Sequence, residues 1–422
     1  MNDPKSVSLF LERKAFSRIA IMALVLLCLV LYMSFESKIV WAGYAILLVI
    51  IIVARGKFTF TPSIFLLLLS LPMVWGLIMS LDDSLNDILK GLFYFLVPVI
   101  MFFIGYQFRK IYSVKELLTA IIILGNIISL IFIFLTLYRV GPIAFISPYE
   151  EARFSVSSGS PASVFAFNIA LFSDYYDYKL FTSRRGKYIT LIINFLAIWL
   201  FASRTFWVML FIFLVLFSIR TMKNKNLIVL TGLAFVIIAG IYIRISTSSD
   251  LSFSNSITYK FANAFSEIRF SEFKTNRDIN TYYRGYEAYR SWETYSKGTV
   301  PELILGGGFG KLVDLKANVM LDGIYWRYIP ITHNGFFFVL VKEGALGLIF
   351  NLVFFLLALR TAIRKYRSPD RKKVFLSVFL LGSIFSLLVV NYVDCGMYTM
   401  EMTLLLITSG YIVSTLYLDE VA

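Results

Sequence analysis

Apolar runs long enough to cross a bilayer recur along almost the whole chain, separated by short polar connections. A bilayer core takes about 20 apolar residues per helix. On that measure the sequence predicts twelve spans, near 17–34, 39–54, 62–80, 88–107, 116–138, 161–178, 188–203, 205–219, 227–246, 334–359, 373–392 and 397–417. One interval breaks the pattern. Thr247–Thr332 is too long for a plain connector. Its many aromatics, Phe253, Tyr259, Tyr283 and Trp292 among them, argue that it is ordered. Within it, 257–270 and 280–296 have helical spacing suited to a membrane surface. The expected organisation is an all-α polytopic membrane protein: nine spans in residues 1–246, a large outer loop at 247–332 with amphipathic helices, and three spans in 333–422.

Charge gives the spans a direction. One set of connections carries Arg55/Lys57, Arg109/Lys110/Lys115, Lys179/Arg184/Arg185/Lys187, Arg220/Lys223/Lys225 and the cluster from Arg360 to Lys373. With the N-terminal tail, this set holds more than half of the 40 basic residues. The other set holds Lys38, the acidic 81–87 turn, the 139–160 loop, the Ser203-Arg204 turn, 247–332 and Asp394. The positive-inside rule makes the first set cytoplasmic, with both termini inside. Composition agrees: the chain is 59% hydrophobic and 16% charged, with a mean hydropathy of +0.77, which excludes a soluble domain of this length. The net charge of +14 is then a matter of topology, not a sign of nucleic acid. The first apolar segment lacks a small-residue cleavage site and reads as a span, not a cleavable signal. Cys28 and Cys395 make neither a disulfide framework nor a metal site.

The topology places Arg153, Arg204, Arg284 and His333 on the outer side, at or near helix ends. His333 is the single histidine; at a membrane interface it serves either as a structural hydrogen-bonder or as a general base. Arg204, in Ala202-Ser203-Arg204-Thr205, either snorkels or holds phosphate oxygens. Arg284 and Tyr286, in Tyr282–Arg290, belong to a headgroup-level amphipathic helix or to a sugar-stacking surface beside an anion site. Arg153 makes a loop salt bridge or a phosphate contact. Glu343 and Lys342 lie about ten residues into the helix after His333, where ionisable groups are functional candidates or a structural pair. Gly344 and Gly347 share a face of that helix and read as packing glycines. The run Gly306–Lys311 lacks Walker spacing and reads as a tight turn. Asp82, Asp83 and Asp87 read as solvated loop more readily than as metal ligands.

The pattern His333-Asn334-(nine)-Gly344-x-x-Gly347 resembles the motif of the bacterial O-antigen ligase and polymerase superfamily. Ser203-Arg204 before a helix is similar to that family's Ser-Arg-Gly/Thr segment. Arg284 followed by aromatics and Leu305-Gly306-x-Gly308-x-Gly310 resembles its large periplasmic loop, and Arg153…Ser160-Pro161 is a weaker match. These elements cover about residues 150–350. The resemblance implies a GT-C-like glycosyltransferase of the bacterial cytoplasmic membrane. It would act on undecaprenyl-pyrophosphate-linked donor and acceptor glycans, without metal or nucleotide cofactor. It further implies Arg204 and Arg284 as pyrophosphate ligands, with Arg153, Tyr286 and Asn334 as substrate contacts. His333 would be the base in an inverting transfer, and Glu343, Gly344 and Gly347 would support it. The polymerase branch is favoured, with a chain-length regulator as a possible partner. A ligase delivering glycan to lipid A–core is the alternative, and a lipid-linked oligosaccharide flippase is the alternative of another class.

Overall fold

The structure, a computed structural model, describes residues 18–26 (24 apart), 63–145, 160–221 (202 apart), 267–321 (274 apart) and 324–421. It is mostly helical. In chain order the helices are α1 (Ile64–Ile78), α2 (Leu85–Ile111), α3 (Val114–Arg139), α4 (Pro161–Phe172), α5 (Arg184–Phe201) and α6 (Arg204–Thr221). After these come α7 (Asn276–Thr281), α8 (Tyr283–Ser296), α9 (Val300–Leu305), α10 (Gly335–Tyr366), α11 (Arg371–Asp394) and α12 (Thr403–Val421).

Among the described residues, five stretches are long and apolar enough to cross a membrane: α2, α3, α10, α11 and Met400–Tyr417. Their outer faces are apolar too, with Phe134 on α3, and Leu356 and Ile363 on α10, all exposed. Such surface is a liability in water and ordinary in lipid. The expected spans at 62–80, 88–107, 116–138, 334–359, 373–392 and 397–417 fall on α1, α2, α3, α10, α11 and α12. The 161–178 span is a shorter helix, α4, followed by a 3-10 turn at Ser173–Tyr176, and 188–203 and 205–219 fall on α5 and α6. The spans at 39–54 and 227–246 lie outside the described residues, and of 17–34 only the helical 18–26 is described.

Packing inside the bundle follows the chemistry of an apolar medium, where close backbone approach and paired polar groups take over from hydrophobic driving force. Gly105 lets α2 lie against α12, because a Cβ there would collide with the Ile407 backbone. Between α3, α4 and α5 a buried polar set closes on itself. The Ser129 hydroxyl lies 2.8 Å from that of Ser163 and donates to Asn194 Oδ1 at 3.0 Å. Asn194 Nδ2 donates to Asn126 Oδ1 at 2.7 Å, and Asn126 Nδ2 to Thr190 Oγ1 at 3.1 Å.

The two ends of the bundle differ. One end gathers the basic connections: Arg371 lies 3.9 Å from Asp177, Arg220 sits over the Tyr366 ring, and the Tyr411 hydroxyl donates to Tyr112 O at 2.8 Å. The opposite end gathers the α1–α2 turn, the starts of α6 and α10, the end of α11 and the 267–334 segment. Phe309 N donates there to Ser80 Oγ at 2.6 Å.

Two expectations need correction. The 247–332 segment is not wholly helical: β1 (Val313–Leu321) and β2 (Ile324–Ile329) form an antiparallel hairpin, pairing Val313 with Ile329 and Met320 with Tyr325. The period-two alternation of apolar Val313, Leu315, Ala317 and Val319 with polar Asp314, Lys316 and Asn318 was the signal for it, and it runs through the register irregularity between Asp314 and Val319. The second correction concerns α10. Gly344 has φ 67° and ψ −168°, so the helix is broken there and Gly344 does not share a continuous helical face with Gly347. The break leaves carbonyls without helical donors. The glycine-rich loop supplies them: Gly307 N donates to Val341 O at 2.9 Å and Gly308 N to Lys342 O at 3.1 Å. Trp75 Nε1 donates to Glu343 O at 3.3 Å. Lys342 is buried and donates to Phe309 O at 2.7 Å and also to Lys311 O. The loop at 306–310 is therefore a cap on a broken helix.

Candidate functional site

The site begins at the entrance to α10. Asn334 is its N-cap, with Oδ1 accepting from Phe336 N and Phe337 N at 3.1 Å each. His333 stands immediately before this cap, its carbonyl accepting from Cys395 N at the end of α11. Its orientation comes from α8. Glu287, buried on that helix, accepts from His333 N at 3.0 Å, and the same oxygen lies 2.6 Å from His333 Nδ1. A carboxylate can only accept, so Nδ1 carries the hydrogen and Nε2 is left as the ring's proton acceptor. Tyr283, one turn before Glu287, donates to its other oxygen at 3.5 Å and meets the imidazole edge-on at 5.7 Å between centroids.

The electrostatics of this pair are set by two opposing effects. Burial alone would lower the His333 pKa; the adjacent Glu287 carboxylate outweighs it, and the net shift is upward from 6.5. The Tyr283 hydroxyl is pushed up by burial and then by Glu287, so it stays protonated as a donor.

His333, Asn334 and Arg284 line one cleft with Ile268, Phe270 and Tyr392. Its empty space is about 290 Å³, open mouth included. Arg284 lies 3.9 Å from Asp394 and 3.8 Å from Glu267. Glu267 is in turn 2.6 Å from Arg204 at the start of α6. Four of the residues singled out from sequence are thus brought together: His333, Asn334 and Arg284 on the cleft, and Arg204 joined to Arg284 through Glu267.

No protein-family profile and no curated protein sequence matches this chain.

Other sequence candidates fall elsewhere. Tyr286 is not at the cleft. It is 4% exposed, packs with Val313, Leu315 and Ile329, and its hydroxyl donates to Leu315 O. Two residues along a helix turn about 200° around the axis, so Arg284 and Tyr286 cannot present to the same side. Glu343 faces a separate cavity with Gly347, which leaves it room. Arg153 lies outside the described residues.

Three carboxylates were missed: Glu287, Glu267 and Asp394. Glu287 had a signal, being four residues after Tyr283 on the buried face of α8. Glu267 had none, since its partners lie 63 positions before it and 17 after it. Asp394 was visible only as an outer-side acid.

Chemically, the arrangement combines a proton acceptor held by a buried carboxylate with guanidinium groups shaped for anionic oxygen. It can take a proton from a hydroxyl nucleophile while holding an anionic leaving group.

Proposed function

We propose that the protein is a membrane glycosyltransferase that extends a polysaccharide, moving a growing undecaprenyl-pyrophosphate-linked glycan onto the next lipid-linked repeat unit. The observation that carries this reading is the Glu287–His333 pair beside Arg284 in one cleft, at the end of an apolar helix bundle away from the basic connections. The motif resemblance points the same way. In this reading the chain has twelve spans in a GT-C-like arrangement, both termini are cytoplasmic, and the cleft opens on the outer face of the bacterial cytoplasmic membrane.

His333 Nε2 takes the proton of the acceptor sugar hydroxyl as its oxygen attacks the anomeric carbon. The bond from that carbon to the pyrophosphate oxygen breaks, its electron pair leaves with the pyrophosphate, and configuration inverts. Arg284 and Arg204 hold the departing charge. Both guanidiniums face carboxylates, Glu267 for both and Asp394 for Arg284. The pyrophosphate therefore takes the place of Glu267 between them. Asn334 keeps the entrance of α10, and hence His333, in position.

The test uses purified protein with lipid-pyrophosphate-linked repeat units and no energy source. Lengthening of the glycan is expected, with loss in His333→Ala. No lengthening by the wild type, or full-length chains in cells carrying His333→Ala, overturns the proposal. Cells lacking the protein separate the alternatives: single-repeat surface glycan marks a polymerase, full-length chains stranded on the lipid mark a ligase, and missing outward repeat units mark a flippase.

A further inference from the structure

The cleft at His333 opens onto a line of apolar rings that the transfer chemistry does not use. Phe270 and Phe337 line the cleft together with Arg284 and His333. Their rings lie 5.7 Å apart, Phe337 lies 6.1 Å from Trp292, and Trp292 lies 5.7 Å from Tyr295. The Tyr295 hydroxyl donates to Leu303 O at 2.9 Å, which joins the line to α9. On α8, Arg284, Ala288 and Trp292 follow at intervals of four and share a face. Ala288 also lines the cleft, so this face runs from a guanidinium over a small residue to a large ring. The rings are not core: Phe270 is 46% exposed and Trp292 41%. The line ends on aliphatic surface, at the exposed Val300 and Ile304, four apart on α9.

The two ends of the line lie at different heights. Ile304 sits at the break in α10, since a Cβ on Gly344 would meet the Ile304 carbonyl. The glycine loop beside it packs on Ser80, just after α1, where Ile78 and Leu81 are exposed. That level is continuous with the apolar outer face of the bundle, and hence with lipid. The cleft lies at the other end of the first half of α10, about 15 Å away along the helix. A lipid-linked pyrophosphate that reaches Arg284 must therefore raise the start of its hydrocarbon chain across that distance. In water this hydrocarbon is disfavoured in proportion to its area. Laid along the rings it is covered, and so are they. An interfacial aromatic belt does not account for the line, because a belt keeps to one height and these rings descend from inside the cleft.

We propose that Phe270, Phe337 and Trp292 form a track for the first isoprenoid units of the lipid pyrophosphate, running from Arg284 to Val300 and Ile304. A unit adds four chain carbons, about 5 Å when extended, so the track takes about three of them. The assignment rests on the proposed lipid-pyrophosphate donor, and its test is binding without transfer.

The probes are inorganic pyrophosphate and geranyl, farnesyl and geranylgeranyl diphosphate, with purified full-length protein in detergent. Each is measured on the wild type, Trp292→Ser and Phe270→Ser. The ratio of wild type to variant cancels partition of the probe into detergent. Wild-type affinity should rise with chain length and level off near farnesyl diphosphate. Trp292→Ser should weaken farnesyl diphosphate by about tenfold, as expected for withdrawing one large apolar contact, and leave inorganic pyrophosphate unchanged. Phe270→Ser, nearer the head, should already weaken geranyl diphosphate. Unchanged farnesyl diphosphate binding in Trp292→Ser overturns the track. So does an equal loss for inorganic pyrophosphate, which makes the rings a support for the arginines. A loss confined to the full lipid-linked repeat unit also overturns it, since the rings then stack on sugar. A wild type that binds none of the probes overturns the arginine clamp as well. The expected binding pattern without glycan lengthening supports the track and overturns the proposed reaction alone.

Discussion

His333 and Glu287 make a pair in which each residue gives the other its meaning. The carboxylate fixes the tautomer and raises the imidazole pKa above 6.5. A general base must be neutral to accept a proton, so transfer should fall as pH drops through this raised value. Glu287→Gln removes the charge but keeps a hydrogen-bonding side chain. We expect its acid limb to move to lower pH and its maximal rate to fall by roughly 10²–10⁴-fold, the range for a disabled acid–base group. A pH–rate profile for both forms checks this; an unmoved limb would assign the titration to another group. Linkage works in the opposite sense for stability. A raised histidine pKa adds stability that is full below the unfolded value and lost as pH rises through the folded one. The wild type should therefore lose stability relative to Glu287→Gln as pH rises above 6.5, as melting curves taken on either side of that value would show. The arginines behave differently. Glu267→Gln frees Arg204 and Arg284 from their shared carboxylate, so binding of a short-chain prenyl pyrophosphate should tighten. Weaker binding would instead show Glu267 to be a support for the arginines.

Among the elements, the broken α10 is the one on which the site depends. Its first half begins at Asn334 under His333 and ends at Glu343, where the Gly306–Gly308 loop closes the orphaned carbonyls. Gly344 occupies a backbone region that only glycine enters without strain. Gly344→Ala should cost about 1–3 kcal/mol for that strain alone, and the Gly306 backbone is too near to admit a Cβ. Thermal melting in detergent is the measurement, and an unchanged midpoint would contradict the break. α8 works as a two-sided element. Tyr286 and Arg290 hold the hairpin, Arg290 Nε donating to Asp314 O at 3.1 Å, while Arg284 and Glu287 serve the cleft. Lys297 and Lys316 converge on Glu293 and hold its carboxyl down at about 2, which ties α8 to β1 above that pH.

At the scale of the whole molecule, the bundle separates chemistry by end. Arg220, Arg371 and Lys372 gather at one end, while Arg204, Arg284 and His333 gather at the other. The proposed sidedness gives a direct test with single-cysteine variants in a background lacking the native cysteines. Arg327→Cys in β2 should react with a membrane-impermeant thiol reagent in intact cells. Lys372→Cys at the start of α11 should react only after permeabilisation. The reversed pattern would refute an outward-facing cleft.

Apolar runs and loop charge made the helical bundle and its two unlike ends legible without coordinates, because span length and loop charge are local properties of the chain. The candidacy of His333, Arg204 and Arg284 was legible for a similar reason: rare residue types at helix ends are conspicuous in an apolar chain. What the sequence could not decide was partnership. Glu267 reaches Arg204 across 63 positions, and Glu287 reaches His333 across 46. No local pattern encodes such distances. The broken α10 was hidden as well, since one glycine between two apolar runs is compatible with an unbroken helix, and only the backbone at Gly344 and the loop packed against it show that the helix stops there. The sequence by itself determined the elements and the rare groups they carry; the tertiary structure decided which carboxylate each of those groups meets, because charge pairing depends on distance in space and not along the chain.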